Sequence, residues 1–279
     1  MQTTKGASGA ESHLLFDRSS ALDIAAFVVD GTDLSPGAAI PSDGDPRIER
    51  ALSGFLFTCG PDHIRHPEPI DGHEGGARYP LHGSLAGTAV ARTEMSADGR
   101  RCTAVTEGDL ACGGRAAVER QWRVDEDARS VMLEDHVVNI GRSAFAPMIM
   151  YHMNIAGRLL GDGTHIVSPS VEGGCRAWRF GEGESAHFCV PAFAGDGRWS
   201  EVSLTALPGL EDRTLHVRFR TDTLPFLQMW RCQRGGANVI SIEPASHRLA
   251  KRTELAASGE LDLLEPGQRR DYALAFTVS

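Results

Sequence analysis

The chain has 279 residues, 41% of them hydrophobic, with a formal net charge of −9. This apolar content supports a sizeable core and excludes wholesale disorder. The acidic balance, with no Lys/Arg run, excludes a nucleic-acid footprint and taken alone favours a small, neutral substrate.

No stretch approaches the ~18 apolar residues of a membrane span. Residues 1–13 are polar and Gly/Ser-rich without an apolar leader core, so a cytoplasmic protein with no membrane partner is expected. The six cysteines (Cys59, Cys102, Cys112, Cys175, Cys189, Cys232) show no C-x-x-C spacing and read as reduced, mostly core residues. Residues 1–17 read as a flexible N-terminal segment and residues 18–279 as a single domain. A homodimer is compatible with this pattern.

Taken in order, residues 22–29 (LDIAAFVV) form the first predicted strand, followed by a Gly/Pro/Ser/Asp-rich loop over 31–47. Residues 54–59 (GFLFTC) are a short apolar run typical of a buried strand. The polar segment that follows contains Asp62, His63, Arg65 and His66, placed where an anchored loop can carry function. Residues 69–78 are Gly-rich and read as a mobile loop ending at Tyr79-Pro80-Leu81-His82-Gly83. Further strands are predicted over 117–124, 130–139 and 147–154, then over 186–190, 201–207, 214–220 and 225–232. The last are over 238–244, 259–264 and 271–278. In 117–124, Val118, Trp122 and Val124 share a face; Glu119, Gln121 and Arg123 share the other. The only helix candidate is a short turn within 248–257. Regular strand spacing with intervening turn signals predicts an all-β protein, a large antiparallel β-sandwich.

Two strands carry the chemistry. In 147–154 (PMIMYHMN), period two places Met148, Met150, His152 and Asn154 on one face and Ile149, Tyr151 and Met153 on the other. In 238–244 (NVISIEP), Val239, Ser241 and Glu243 oppose Ile240 and Ile242. An imidazole and a carboxylate on two buried-looking strands are the parts of a general acid/base pair. A core histidine satisfied by a carbonyl and a solvent-facing strand-end glutamate are the plain alternatives. His63, His66 and His82 form a second group in Gly/Pro-rich loops. Their spacing suits hydroxyl-binding loops better than a metal, so no metal and no cofactor is expected. Among the aromatics, Phe57, Tyr79, Tyr151 and Trp230 are candidates to stack on a sugar ring, while Trp122 and Trp178 read as core. Aromatic content of 6% suits one monosaccharide pocket rather than a polysaccharide platform.

The segments 22–24 with Gly31 and Leu34, 54–60, Leu81-His82-Gly83, Met150-Tyr151-His152-Met153-Asn154, and Ile242-Glu243-Pro244-Ala245 to Arg248 resemble a bacterial family of aldose-1-epimerase-like proteins. That family lies within the galactose-mutarotase-like superfamily. The resemblance implies a supersandwich with a cleft on one sheet. It also implies anomer interconversion of a monosaccharide without a cofactor. Residue by residue it carries the general acid to His152, the general base to Glu243 and a sugar contact to His82. Asn154 fits the asparagine that follows the acid. His63, Arg65, Trp230 and Arg248 complete the expected substrate-binding set. The methionine-flanked His152 strand and the histidine-rich loop at 62–66 depart from the family pattern, and no sugar-binding aspartate can be placed. Two alternatives stand beside this reading. One is an isomerase, epimerase or lyase acting on an unusual or oxidised sugar, whose acidic group Arg65 and the loop histidines would hold. The other is a non-catalytic carbohydrate-binding protein.

Overall fold

A computed structural model describes residues 2–5, 11–70, 76–125, 130–195 and 197–279. Its strands are Gln2–Lys5 (β1), Glu11–Asp17 (β2), Asp23–Val29 (β3), Thr32–Asp33 (β4), Leu56–Cys59 (β5), Arg92–Met95 (β6), Arg101–Asp109 (β7), Arg115–Asp125 (β8) and Ser130–Asn139 (β9). They continue with Met150–Ala156 (β10), His165–Val167 (β11), Cys175–Ala177 (β12), Ser185–Pro191 (β13), Trp199–Leu207 (β14), Arg213–Arg220 (β15), Phe226–Cys232 (β16), Val239–Ala245 (β17) and Arg269–Val278 (β18). Two short helices, Glu49–Leu52 (α1) and Arg252–Ala257 (α2), accompany them.

The strands form two antiparallel nine-stranded sheets, so the sandwich expected from the sequence is the architecture found. One runs β1-β2-β3-β5-β10-β17-β16-β13, with β4 on β3; the other runs β12-β11-β14-β15-β18-β9-β8-β7-β6. In the second sheet burial alternates strictly along β9: Val131, Leu133, Asp135, Val137 and Asn139 point inward, and the residues between them are partly exposed. One face therefore packs on the core and the other meets water, as period-two patterning requires.

The first sheet differs at its centre, where every residue of β10 and β17 is buried. Ile149, Tyr151, Met153, Ile155, Ile240 and Ile242 face the inter-sheet core. Met148, Met150 and Ala245 instead join a second apolar cluster with Ile48, Leu52, Ile64, Leu81 and Leu255, contributed by helices and loops lying across the outer face. Each fully buried aliphatic side chain there contributes roughly 1.5–3 kcal/mol. This cover encloses part of the outer face, and the site lies in the remainder.

Between the sheets sits a buried polar cluster. Arg120 of β8 donates to Asp135 (Nε, 2.8 Å), Asp23 (Nη1, 2.6 Å) and the Thr58 hydroxyl (Nη2, 2.7 Å). Thr58 Oγ1 donates to Asp23, and Tyr151 Oη donates to Asp135 at 2.8 Å. Both carboxylates and the guanidinium are at most 2% exposed.

Three sequence expectations are corrected. Residues 11–17, read as flexible, form β2, because Leu14 is buried and Phe16 packs 5.6 Å from Trp122; residues 1 and 6–10 lie outside the described residues. Residues 259–264 form no strand: Leu264 makes an isolated bridge to Phe145, and Leu263 is 59% exposed, so the run has no second buried position. The cysteines are all free, but only Cys59, Cys102 and Cys232 are buried. Of the Gly-rich loop read as mobile, residues 71–75 lie outside the described residues. No helix among the described residues is long and apolar enough to cross a membrane.

Candidate active site

The register of the central strands brings His152 and Glu243 together. β10 pairs with β17 through Met150↔Ala245, Met153↔Ile242 and Asn154↔Ser241, which sets His152 opposite Glu243. On the flanks His152 pairs with Phe57 and Glu243 with Gln228. Because facing residues share a face, the imidazole and carboxylate meet on the outer side, with Nε2 3.3 Å from Oε1. The Asn154 amide donates to the carbonyls of Leu52 (2.9 Å) and Gly54 (3.2 Å), leaving its Oδ1 to accept from His152 Nδ1–H at 2.7 Å. That bond fixes the ring and turns Nε2 toward Glu243.

Both groups are nearly excluded from water, His152 at 6% and Glu243 at 2% exposure. Burial opposes ionisation of Glu243, but the facing His152 and His187 rings and the Ser241 hydroxyl hold its pKa down at about 2. Ser241 Oγ donates to Oε1 at 2.7 Å, and His187 Nε2 stands 3.6 Å from Oε2. For His152, burial lowers the pKa below the ordinary histidine value, and the Glu243 charge offsets this only in part. Attraction between the two groups favours both charged states, but at the imidazole desolvation outweighs it.

Around this pair is a cleft of about 330 Å³, within the range of small-molecule pockets. Ile64, Arg65, His66 and His82 line one side of it. The wall is tied together by the backbone: His82 N–H donates to the Arg65 carbonyl at 2.9 Å, and Gly60 N–H to that of His82 at 2.8 Å. His82 itself has a positive φ of 60°. Gly83, at φ 95°, comes so close that a Cβ would meet the His63 carbonyl at 2.3 Å. Asp43 enters from the 31–47 loop, its Oδ2 3.5 Å from His82 Nε2. Burial disfavours a charged His82, yet Cys59 and the Asp43 carboxylate together push its pKa up to about 10. Trp230, 5.9 Å from the His152 ring, and His187, its partner across β13 and β16, close the other side.

Of the eight residues the sequence singled out, the cleft gathers His152, Glu243, His82, Arg65 and Trp230. Three do not line it. His63 is 1% exposed, stacks on Tyr79 at 5.2 Å and donates from Nε2 to the His66 carbonyl at 2.8 Å. It sits behind the loop and does not line the cleft. Arg248 is held by Glu260, to which its Nε donates at 2.9 Å, outside the cleft. Asn154 spends its whole amide on His152 and two carbonyls, so it positions the His152 ring and does not line the cleft. Tyr79, Tyr151 and Phe57 are buried and do not line the cleft, whereas Trp230 does.

Asp43, His187 and Gln228 line the cleft and were not singled out. His187 was accessible to pattern reasoning, since Ala186, Phe188 and Val190 pack on the core and leave positions 187 and 189 outward. Asp43 lies in an irregular loop, where no periodicity aims a side chain. Among the described residues there is no group of three or more His, Cys, Asp or Glu able to hold a metal ion.

A family profile described as "Domain of unknown function (DUF4432)" matches residues 5–278. The chain belongs to the DUF4432 family. No curated protein matches it. Several solved structures share the fold of this DUF4432 protein. A Klebsiella pneumoniae protein provisionally named as an aldose 1-epimerase superposes with a TM-score of 0.77 at 17% identity, covering 96% of this chain and 76% of its own. The Slr1438 protein of Synechocystis gives 0.68 at 15% identity over 97% and 92% of the two chains. A galactose mutarotase related enzyme of Lactobacillus acidophilus gives 0.68 at 13% identity over 100% and 97%. At these identities the likeness is one of fold.

Proposed function

We propose that this DUF4432 protein interconverts the anomers of a monosaccharide or sugar derivative by acid/base ring opening. The observation that carries the reading is the His152–Glu243 pair at 3.3 Å, aimed from adjacent strands into a monosaccharide-sized cleft. The fold shared with proteins named as aldose 1-epimerases and mutarotase relatives supports it.

In the proposed reaction Glu243 takes the proton of the anomeric hydroxyl while protonated His152 delivers one to the ring oxygen. The C1–ring-oxygen pair leaves with that oxygen, and the anomeric oxygen's lone pair completes the carbonyl. After rotation about C1–C2, the hydroxyl adds to the other carbonyl face. His152 recovers its proton, and Glu243 returns its own to the anomeric oxygen. Each proton-transfer partner contributes about 10²–10⁴-fold. Asp43 and His82 are placed to hold hydroxyls, and Trp230 to cover the ring's apolar face.

The test is anomer exchange of freshly dissolved single sugars, followed by NMR. The wild type is expected to accelerate exchange of at least one sugar. Glu243→Gln is expected to lower kcat by about 10²-fold or more with KM little changed. A panel on which no sugar exchanges faster than in buffer would end the reading.

A further inference from the structure

The protein carries a net charge of −9, yet its cleft does not share that sign. The only two carboxylates lining it among the described residues, Asp43 and Glu243, each already face a histidine: His82 at 3.5 Å, and His152 at 3.3 Å with His187 at 3.6 Å. Two arginines, Arg65 and Arg234, also line it. Neither guanidinium has a hydrogen bond or carboxylate partner among the described residues, whereas Arg47, Arg120, Arg220 and Arg248 are all tied to carboxylates.

Arg65 is the more constrained of the two. It is partly buried on the outer side of the sheet, and its backbone is fixed by the His82 N–H bond to its carbonyl. The guanidinium lines the same cleft as Glu243, from the wall it shares with His66 and His82. A rigid fork of donors with no internal acceptor is suited to a planar or tetrahedral anion. A cleft walled by low-dielectric surface also focuses its positive field on an incoming anion.

We infer, resting on the proposed anomer chemistry, that the substrate is a monosaccharide bearing an anionic group, a carboxylate or a phosphate, which Arg65 binds while His152 and Glu243 act at the anomeric carbon. This replaces the neutral substrate that overall charge alone suggested. A charge-assisted hydrogen bond of this kind is worth roughly 10- to 100-fold in selectivity.

The experiment compares matched sugars in the anomer-exchange assay: D-glucose with D-glucuronate and D-glucose 6-phosphate, and D-galactose with D-galacturonate. At least one anionic member is expected to exceed its neutral counterpart in kcat/KM by about tenfold or more. Preference for the uronate identifies a carboxylate, and preference for the ester identifies a phosphate. In Arg65→Met the anion-to-neutral ratio is expected to fall toward one, with partial recovery in Arg65→Lys and a narrowing of the wild-type ratio as salt is raised. Neutral sugars exchanging as fast as their anionic partners would overturn the inference while leaving the anomerase reading in place. If no sugar exchanges, calorimetric titration with glucose, glucuronate and glucose 6-phosphate decides the anion alone. Tighter anion binding weakened by Arg65→Met supports it, and equal binding by both proteins overturns it.

Discussion

Asn154 illustrates how a residue can govern chemistry without entering the cleft. Its amide donors go to the Leu52 and Gly54 carbonyls, so its oxygen can only accept, and the His152 proton is fixed on Nδ1. Replacing it by leucine is expected to free the ring, lowering kcat by about tenfold or more while KM changes less, because a misplaced acid affects chemistry before binding. The same imidazole sets the pH dependence. Burial depresses the His152 pKa, so its acidic form, present below that value, is lost as pH rises through it. Glu243 stays ionised down to about pH 2. The kcat/KM profile is therefore expected to fall on its basic side with an apparent pKa below 6.5, with no acid limb near the ordinary glutamate value. A flat profile from pH 5 to 8 would contradict the assignment of the acid.

At the scale of elements, strands and loops differed in what could be read from sequence. His152 and Glu243 were legible because alternation fixes which face a strand residue takes and antiparallel register then fixes its partner. The same reasoning missed Arg120, which breaks the apolar pattern of β8 at a core-facing position and is satisfied by partners up to 99 residues away. Loop residues carried no such constraint. His63 and Arg65 are two apart in one segment, but one stacks behind the wall and the other lines the cleft. What aims the wall is close backbone packing around Gly83, where a side chain would strike the His63 and Gly60 carbonyls at 2.3 and 2.5 Å. Gly83→Ala is expected to lose roughly 1–3 kcal/mol of stability through strain at positive φ. It should also raise KM more than it lowers kcat, since His82 and Arg65 move while the strand-borne pair stays. Unchanged melting temperature and KM would show that the turn adapts.

For the whole molecule, the Arg120 cluster links the sheets beneath the site. Asp23, Thr58 and Tyr151 come from the cleft-bearing sheet, and Arg120 and Asp135 from the other. Removing the guanidinium leaves two buried carboxylates uncompensated, so Arg120→Met is expected to destabilise by about 3–5 kcal/mol in denaturant unfolding. Tyr151 neighbours His152 along β10, so any folded fraction of this variant is also expected to lose activity. Stability within about 1 kcal/mol of wild type would show that the cluster is replaceable by apolar packing.

The row that runs Phe57, His152, Glu243, Gln228 and Cys189 across five strands has a consequence for how activity arises during folding. These positions are neighbours in space but scattered between residues 57 and 243, so no short contiguous fragment contains the site. Such non-local pairings close late and slowly, because the intervening chain must be ordered before any of them is rewarded. A nascent or proteolytically clipped chain can therefore hold much of its secondary structure and still catalyse nothing. On the proposed anomer chemistry, turnover would report that the last distant strand has found its place.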